Sequence, residues 1–410
     1  MKKTLFLLCA IFVILLAGCA KQEQITEPAS ETDAETTIDA TVEKTEAQPV
    51  RPAPSGPVEL KVPAEDRNQA FNCQFVETEE GYYYVWDRLT ENGMLNLVYF
   101  CARGDSTFYP LCNKPNCKHS DSNCNAFCGT ELGYYNNALY TMDFSGFQGL
   151  QLIKMNLDGS DHQVVAELDP SEGTGSMSFL CAFHHGKFFL LSEPTDDMPL
   201  DQQQYRLIVV NLADGSKAEP AAEYFNTEKD VPNRFWYYKD KLYGIASGKD
   251  KALSLIEIDT ATGTTKAMDV ERTSSFYATD STLYYLVANA GNANQTSERS
   301  DPGFREYDLE SGTVKDCGLP AEGIINADYD EDYIYAGGNY SNDGQEFTLY
   351  LLSRDYKLVD QIELTGGLGF AAVTSDRIYF SGMDHCITCY LDKSQIGSGN
   401  LQLIPIETIG

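Results

Sequence analysis

The sequence has no apolar run long enough to cross a bilayer. Its longest, Leu5 to Leu16, spans twelve residues, which as a helix reach about 18 Å against a hydrocarbon core of about 30 Å. Positive charge is scarce too: 30 Lys and Arg stand against 61 Asp and Glu, a formal charge of -31. A body this acidic repels phosphate backbones and anionic headgroups, which excludes nucleic acid as a partner. Past residue 70 no stretch keeps an apolar stripe at helical spacing, and a helical bundle is excluded with it. Catalytic motifs are missing as well. There is no Gly-x-Ser-x-Gly, no His-Glu-x-x-His and no phosphate-cradling glycine loop, so the chemistries those spacings serve have no local support.

What is there begins at the N-terminus. Lys2 and Lys3 precede the apolar run, which ends in Leu16-Ala17-Gly18-Cys19. A charged start, a short apolar core and small residues form an export signal rather than a membrane span. The last four residues resemble the bacterial lipobox. That resemblance implies a signal peptide over 1–18, cleavage ahead of Cys19, and a diacylglycerol on the Cys19 sulfur, the thiolate being the nucleophile that accepts it. The chain is then expected on the extracytoplasmic face, held to the membrane by the lipid on Cys19. Residues 19–57 follow as a tether. Beyond Cys19 they hold no aromatic residue, eight acids and three bases, and end in Pro49, Pro52, Pro54 and Pro57. Such a segment buries too little apolar surface to offset its ordering entropy.

The body, 58–410, is a repeat. An aromatic strand returns after a polar turn as Gly81-Tyr82-Tyr83-Tyr84, Asn137-Ala138-Leu139-Tyr140 and Gly186-Lys187-Phe188-Phe189. It returns again as Asp240-Lys241-Leu242-Tyr243, Ser281-Thr282-Leu283-Tyr284, Asp332-Tyr333-Ile334-Tyr335 and Asp376-Arg377-Ile378-Tyr379. A second run closing on a turn follows, as in Leu152 to Gly159, Leu207 to Gly215, Leu255 to Gly263 and Phe304 to Gly312. Glycine in those turns takes positive φ without steric cost. Each unit reads as four antiparallel strands, and seven units make an all-β, seven-bladed β-propeller. The blades are expected near 70–112, 131–168, 177–224, 233–270, 274–319, 324–364 and 369–407. Six or eight blades stay open, because the end units are the least regular. Val58 to Val62 is a candidate extra strand for ring closure.

The aromatic strand followed by a strand ending in Asn156-Leu157-Asp158-Gly159-Ser160 resembles the TolB-like propeller repeats, and in particular the propeller lipoproteins of Firmicutes. The resemblance covers 70–407, implies the propeller fold, and carries no activity with it.

One local constellation stands out, in an insertion over 112–128: Cys112, Cys117, His119, Cys124 and Cys128. Clustered cysteines outside the cell pair as disulfides, which staple a small hydrophilic insertion. The same residue types suit a tetrahedral structural zinc site from Cys112, Cys117 and two of His119, Cys124 and Cys128. Free thiols are the third arrangement. No other cofactor is implied. Cys386 and Cys389 form a Cys-x-x-Cys at the start of a strand rather than a helix, which argues against redox chemistry; pairing of either with Cys73 or Cys101 is a freer expectation. Cys181 and Cys317 read as buried thiols, and His162 and His385 as surface residues. The acidic run Asp328 to Asp332 lacks the alternating ligands of a calcium loop and reads as a solvated turn.

These features point to a monomeric binding or scaffold module for a protein, peptide or glycan. The alternative is an extracellular polymer-processing enzyme, a glycan hydrolase or lyase, whose active site is built from the loops at 193–204 and 288–303.

Overall fold

In the computed structural model the described residues are 58–409, apart from 67–73, 91–92, 144–149, 169–179, 193–205, 220–234, 247–253, 263, 269, 271–272, 274, 288–300, 341–345 and 383–385. Cys19, the signal, the tether, Cys73, His385, the loop at 193–204 and most of the loop at 288–303 therefore lie outside the described residues.

Seven antiparallel sheets follow one another along the chain. Blade one consists of Phe75–Glu77, Gly81–Thr90, Gly93–Ala102 and Thr107–Pro110. Blade two runs from Leu132–Tyr135 to Gln163–Leu168, blade three from Leu180–His184 to Lys217–Ala218, and blade four from Phe235–Tyr238 to Thr265–Met268. Blades five, six and seven run from Ser275–Ala278 to Val314–Gly318, Asn326–Tyr329 to Leu358–Leu364, and Gly369–Val373 to Leu403–Pro405. The count is seven, and each blade has four strands contiguous in sequence.

The repeated aromatic strand is the second of each blade, and its side chains are the core. Tyr82, Tyr83, Tyr243, Tyr285, Tyr335 and Tyr379 are buried, so they are packing rather than an exposed binding platform. Blades wedge together through ring pairs: Phe75 to Tyr379 at 4.7 Å, Phe189 to Tyr237 at 4.7 Å, Trp236 to Phe276 at 5.7 Å and Tyr277 to Tyr329 at 5.9 Å. Rings at these separations add to the area they bury. Gly133 makes room for such a ring, since a Cβ there would stand 2.1 Å from Phe183 of the next blade.

The turns repeat as closely as the strands. The residue after the third strand donates its N–H to the carbonyl of the first hairpin turn: Arg103 to Glu80, Leu212 to Gly186, Thr260 to Asp240, Leu309 to Ser281 and Lys393 to Asp376. In three blades a threonine closes that first turn, Thr78 onto Gly81, Thr279 onto Thr282 and Thr374 onto Arg377.

Ring closure departs from expectation. Val58 to Val62 forms no strand. Instead, Glu407–Thr408 adds a fifth, parallel strand to the outer edge of blade one, with Glu407 opposite Thr107 and Thr408 opposite Phe108. The segment before blade one crosses the face that carries the first hairpin turns. Val58 donates to the Glu79 carbonyl, Lys61 pairs with Asp332 of blade six at 2.5 Å, and Glu65 accepts from the His185 N–H of blade three. The side chains of Lys61, Glu65 and Asp66 find partners on those turns, at Asp332, Asn136 and His185.

Candidate functional site

Three places gather polar chemistry. The first is the insertion between blades one and two. It folds back on the third strand of blade one: Val98 donates to Ala126, Cys128 donates to Asn96, and Leu97 forms a bridge with Phe127. On the other side it meets a turn of blade two, where Nε2 of His162 lies 3.2 Å from the Asn125 carbonyl. Gly159 of that turn has φ +77°, and a Cβ on it would stand 2.4 Å from the Leu111 carbonyl. The insertion thus fills the junction of blades one and two.

Within it the structure brings together four of the five expected residues. The Sγ atoms of Cys112, Cys117 and Cys124 and a ring nitrogen of His119 all lie within 4.8 Å of one another. Nδ1 of His119 is 3.2 Å from Sγ of Cys124. Burial, with Arg88 adding to it, holds the His119 imidazole below its ordinary pKa and so favours the neutral ring. Burial pushes the Cys112 thiol up, but N–H groups of Lys114 and Asn125 and the neighbouring thiols outweigh it and set it below the ordinary range. Cys124 is pushed up by burial. Cys128 stands apart, buried under blade one, and burial raises it well above the thiol range. None of the nine described cysteines forms a disulfide.

The second place is the seam where blades six, seven and one meet. Nζ of Lys393 lies 2.5 Å from Oδ2 of Asp330, both side chains under a tenth exposed. Asp330 also accepts from the Tyr335 hydroxyl at 2.6 Å and the Tyr333 N–H at 2.8 Å. Burial opposes the charge on Asp330, but Lys393 and these donors prevail and hold its carboxyl below the usual range. The reading of Asp328 to Asp332 as a solvated turn is therefore corrected at Asp330, which is buried. Its signal was in the repeat: Asp330 stands where Thr78, Thr279 and Thr374 stand, one blade in which the turn threonine became an acid. At the next junction, Arg103 bonds Glu77 within blade one at 2.7 Å, and Glu77 accepts from Ser375 of blade seven. Asp376 accepts from the Tyr82 hydroxyl at 2.5 Å. These charges join blades.

The third place is a cleft of about 330 Å³ between blades six and seven, lined by Asn326, Asp328, Tyr335, Phe347, Phe370 and Ser381 among others. Asn326 and Phe370 lie at the entry ends of their strands, opposite the turns crossed by residues 58–66.

Of the remaining thiols, Cys101 and Cys389 are held protonated by their surroundings. Burial pushes Cys101 up to about 12 and raises Cys389, the reverse of a redox thiol. Cys181 is buried as expected, whereas Cys317 is half-exposed, because its strand is the outer one of blade five. His184 is buried and stacks on Tyr237 at 5.4 Å, while His185 turns outward to Asp66.

No protein-family model and no curated protein matches the chain. Solved structures do. A prolyl endopeptidase aligns with a TM-score of 0.53 at 10% identity, over 83% of this chain and 50% of that one. The acylaminoacyl peptidase of Pyrococcus horikoshii gives 0.50 at 11%, over 82% and 52%. BamB from Moraxella catarrhalis gives 0.37 at 12%, over 80% and 99%. The chain spans about half the length of the two peptidases, and at these identities the likeness is one of fold: a β-propeller.

Proposed function

We propose that this chain is a lipid-anchored, extracytoplasmic protein whose propeller binds a protein, peptide or glycan in the cleft between blades six and seven. The anchor rests on Leu16-Ala17-Gly18-Cys19 and on the tether behind it. The observation that carries the binding reading is the chemistry of the cleft. Asn326 and Ser381 offer hydrogen bonds, Phe370 is half-buried at its wall, and Asp328 is the only carboxylate among the described lining residues. A few polar groups on an aromatic wall orient a ligand, whereas hydrolysis of a glycosidic bond calls for two carboxyl groups set apart.

The test is binding of the full chain, in detergent, to glycan and peptide arrays. Retention of a ligand that Phe370→Ala and Asp328→Ala each weaken at least tenfold, with no product released over hours, supports the reading. Release of product that Asp328→Asn abolishes would replace it with an enzyme; binding untouched by both alanine variants would move the site elsewhere.

A further inference from the structure

We propose that Cys112, Cys117, His119 and Cys124 form a closed tetrahedral zinc site that fastens the insertion across the junction of blades one and two. The four donors come from a single loop and converge on one point. Zinc bonds of about 2.3 Å to sulfur and about 2.0 Å to nitrogen give tetrahedral edges of about 3.5–3.8 Å. Donor atoms already within 4.8 Å reach that geometry with small side-chain rotations.

Two tight turns shape the loop that carries the donors. Asn116 and His119 sit at φ +59° and +50°, the left-handed region, without being glycine. Such conformations cost on the order of 1 kcal/mol each and persist where the surroundings over-determine them. The thiols are also supported as metal thiolates are. Cys124 Sγ accepts from the N–H two residues on, Ala126, at 3.4 Å, and Cys112 accepts from the N–H two residues on, Lys114. Hydrogen bonds of this kind orient ligand sulfurs and offset their charge.

The set is selective. Cys128, an equal candidate by sequence, is not among the four; its backbone N–H is bonded to Asn96 on the third strand of blade one. A disulfide between any two of the three converging cysteines leaves the third thiol and the imidazole clustered without a task, whereas a metal uses all four donors. With four protein ligands no position is left for water or substrate, so the ion is structural. Its mechanical effect falls on the loop that carries Asn125, Ala126 and Phe127, the residues that bond blade one and blade two.

The experiment is metal analysis of the full chain purified in detergent under argon, without added metal or a metal-binding tag. One equivalent of zinc is expected, absent from Cys117→Ser and His119→Ala and retained in Cys128→Ala. Titration of the stripped wild type with cobalt guards against variants that fail to fold. It should produce one equivalent of intense tetrahedral visible absorption with a thiolate charge-transfer band. Pairing of these cysteines in non-reduced, alkylated protein without metal would overturn the proposal. So would free thiols that give no cobalt spectrum, or loss of the metal only in Cys128→Ala.

Discussion

Lys393→Met removes the ammonium that faces Asp330 and leaves a buried carboxylate beside the Tyr335 hydroxyl. Both side chains are under a tenth exposed and 2.5 Å apart, so the pair is not screened as a surface pair is. Breaking a buried pair from one side costs about 3–5 kcal/mol, because the remaining charge keeps its desolvation penalty. An unfolding entropy of roughly 2.1 cal/mol/K per residue, over a propeller of about 340 residues, makes 1 kcal/mol about 1.4 °C. The expected fall in melting temperature is thus about 4–7 °C by calorimetry at pH 7. Asp330→Asn combined with Lys393→Met should lose less than the sum of the single changes, since neither charge is then left alone. Acidity adds a second check. The folded pKa of Asp330 lies below its unfolded value of about 3.9, so its stabilisation is present above that value and fades as pH falls through the folded pKa. In Lys393→Met the main cause of the depression is gone, and that acid limb should start at higher pH than in the wild type. A fall under about 1 °C, or strictly additive losses, would refute the assignment of Lys393 and Asp330 as a coupled, blade-joining pair.

Removing residues 406–410 deletes at least three backbone hydrogen bonds, Ile406 to Thr388, Glu407 to Ser106 and Ile409 to Phe108. At about 1 kcal/mol each, the melting temperature should drop by about 3–6 °C, and an unchanged value would show that the fifth strand of blade one adds nothing. Gly133→Ala forces a Cβ into Phe183 and should cost about 1–3 kcal/mol in urea unfolding. Gly369→Ala, with nothing within 4 Å, should stay within about 0.5 kcal/mol, and equal losses at the two sites would remove the packing argument. Cys19→Ala should abolish incorporation of labelled palmitate and release the protein from the membrane fraction, whereas labelling that persists would place the lipid elsewhere.

Blades were legible because their signals are local. Tyr82 and Tyr83 follow a turn at Gly81, and every later blade repeats that order within about fifty residues, since the second strand must always fill the same wedge. The turns were legible for the same reason: Asp158 and Asp214 each accept the N–H of the serine two residues on, a bond written in the sequence as Asp-Gly-Ser. The seam was legible only at Asp330, through its place in the repeat; its pairing was not. Asp330 and Lys393 are 63 residues apart, and neither differs in type from the many surface charges of the chain. Closure by Glu407–Thr408 was hidden likewise, because a two-residue strand has no periodicity to show. In the insertion the cysteines announced themselves, but choosing Cys124 over Cys128 needed the path of the loop: Cys124 lies in a turn beside His119, and Cys128 has already joined the edge of blade one.

The outer edge of blade one is the last part of the ring to find its partner. Synthesis delivers Thr107–Pro110 about three hundred residues before Glu407 and Thr408. Contiguous blades have local contacts and can form in order as the chain appears. Through that interval the first blade carries a bare strand edge, the kind of surface on which chains join one another. It is kept short, it ends in Pro110, and Asp105 caps its entry by accepting from Ser106 and Thr107. The hazard therefore belongs to the time before closure, and a chain that loses its last residues would carry it permanently.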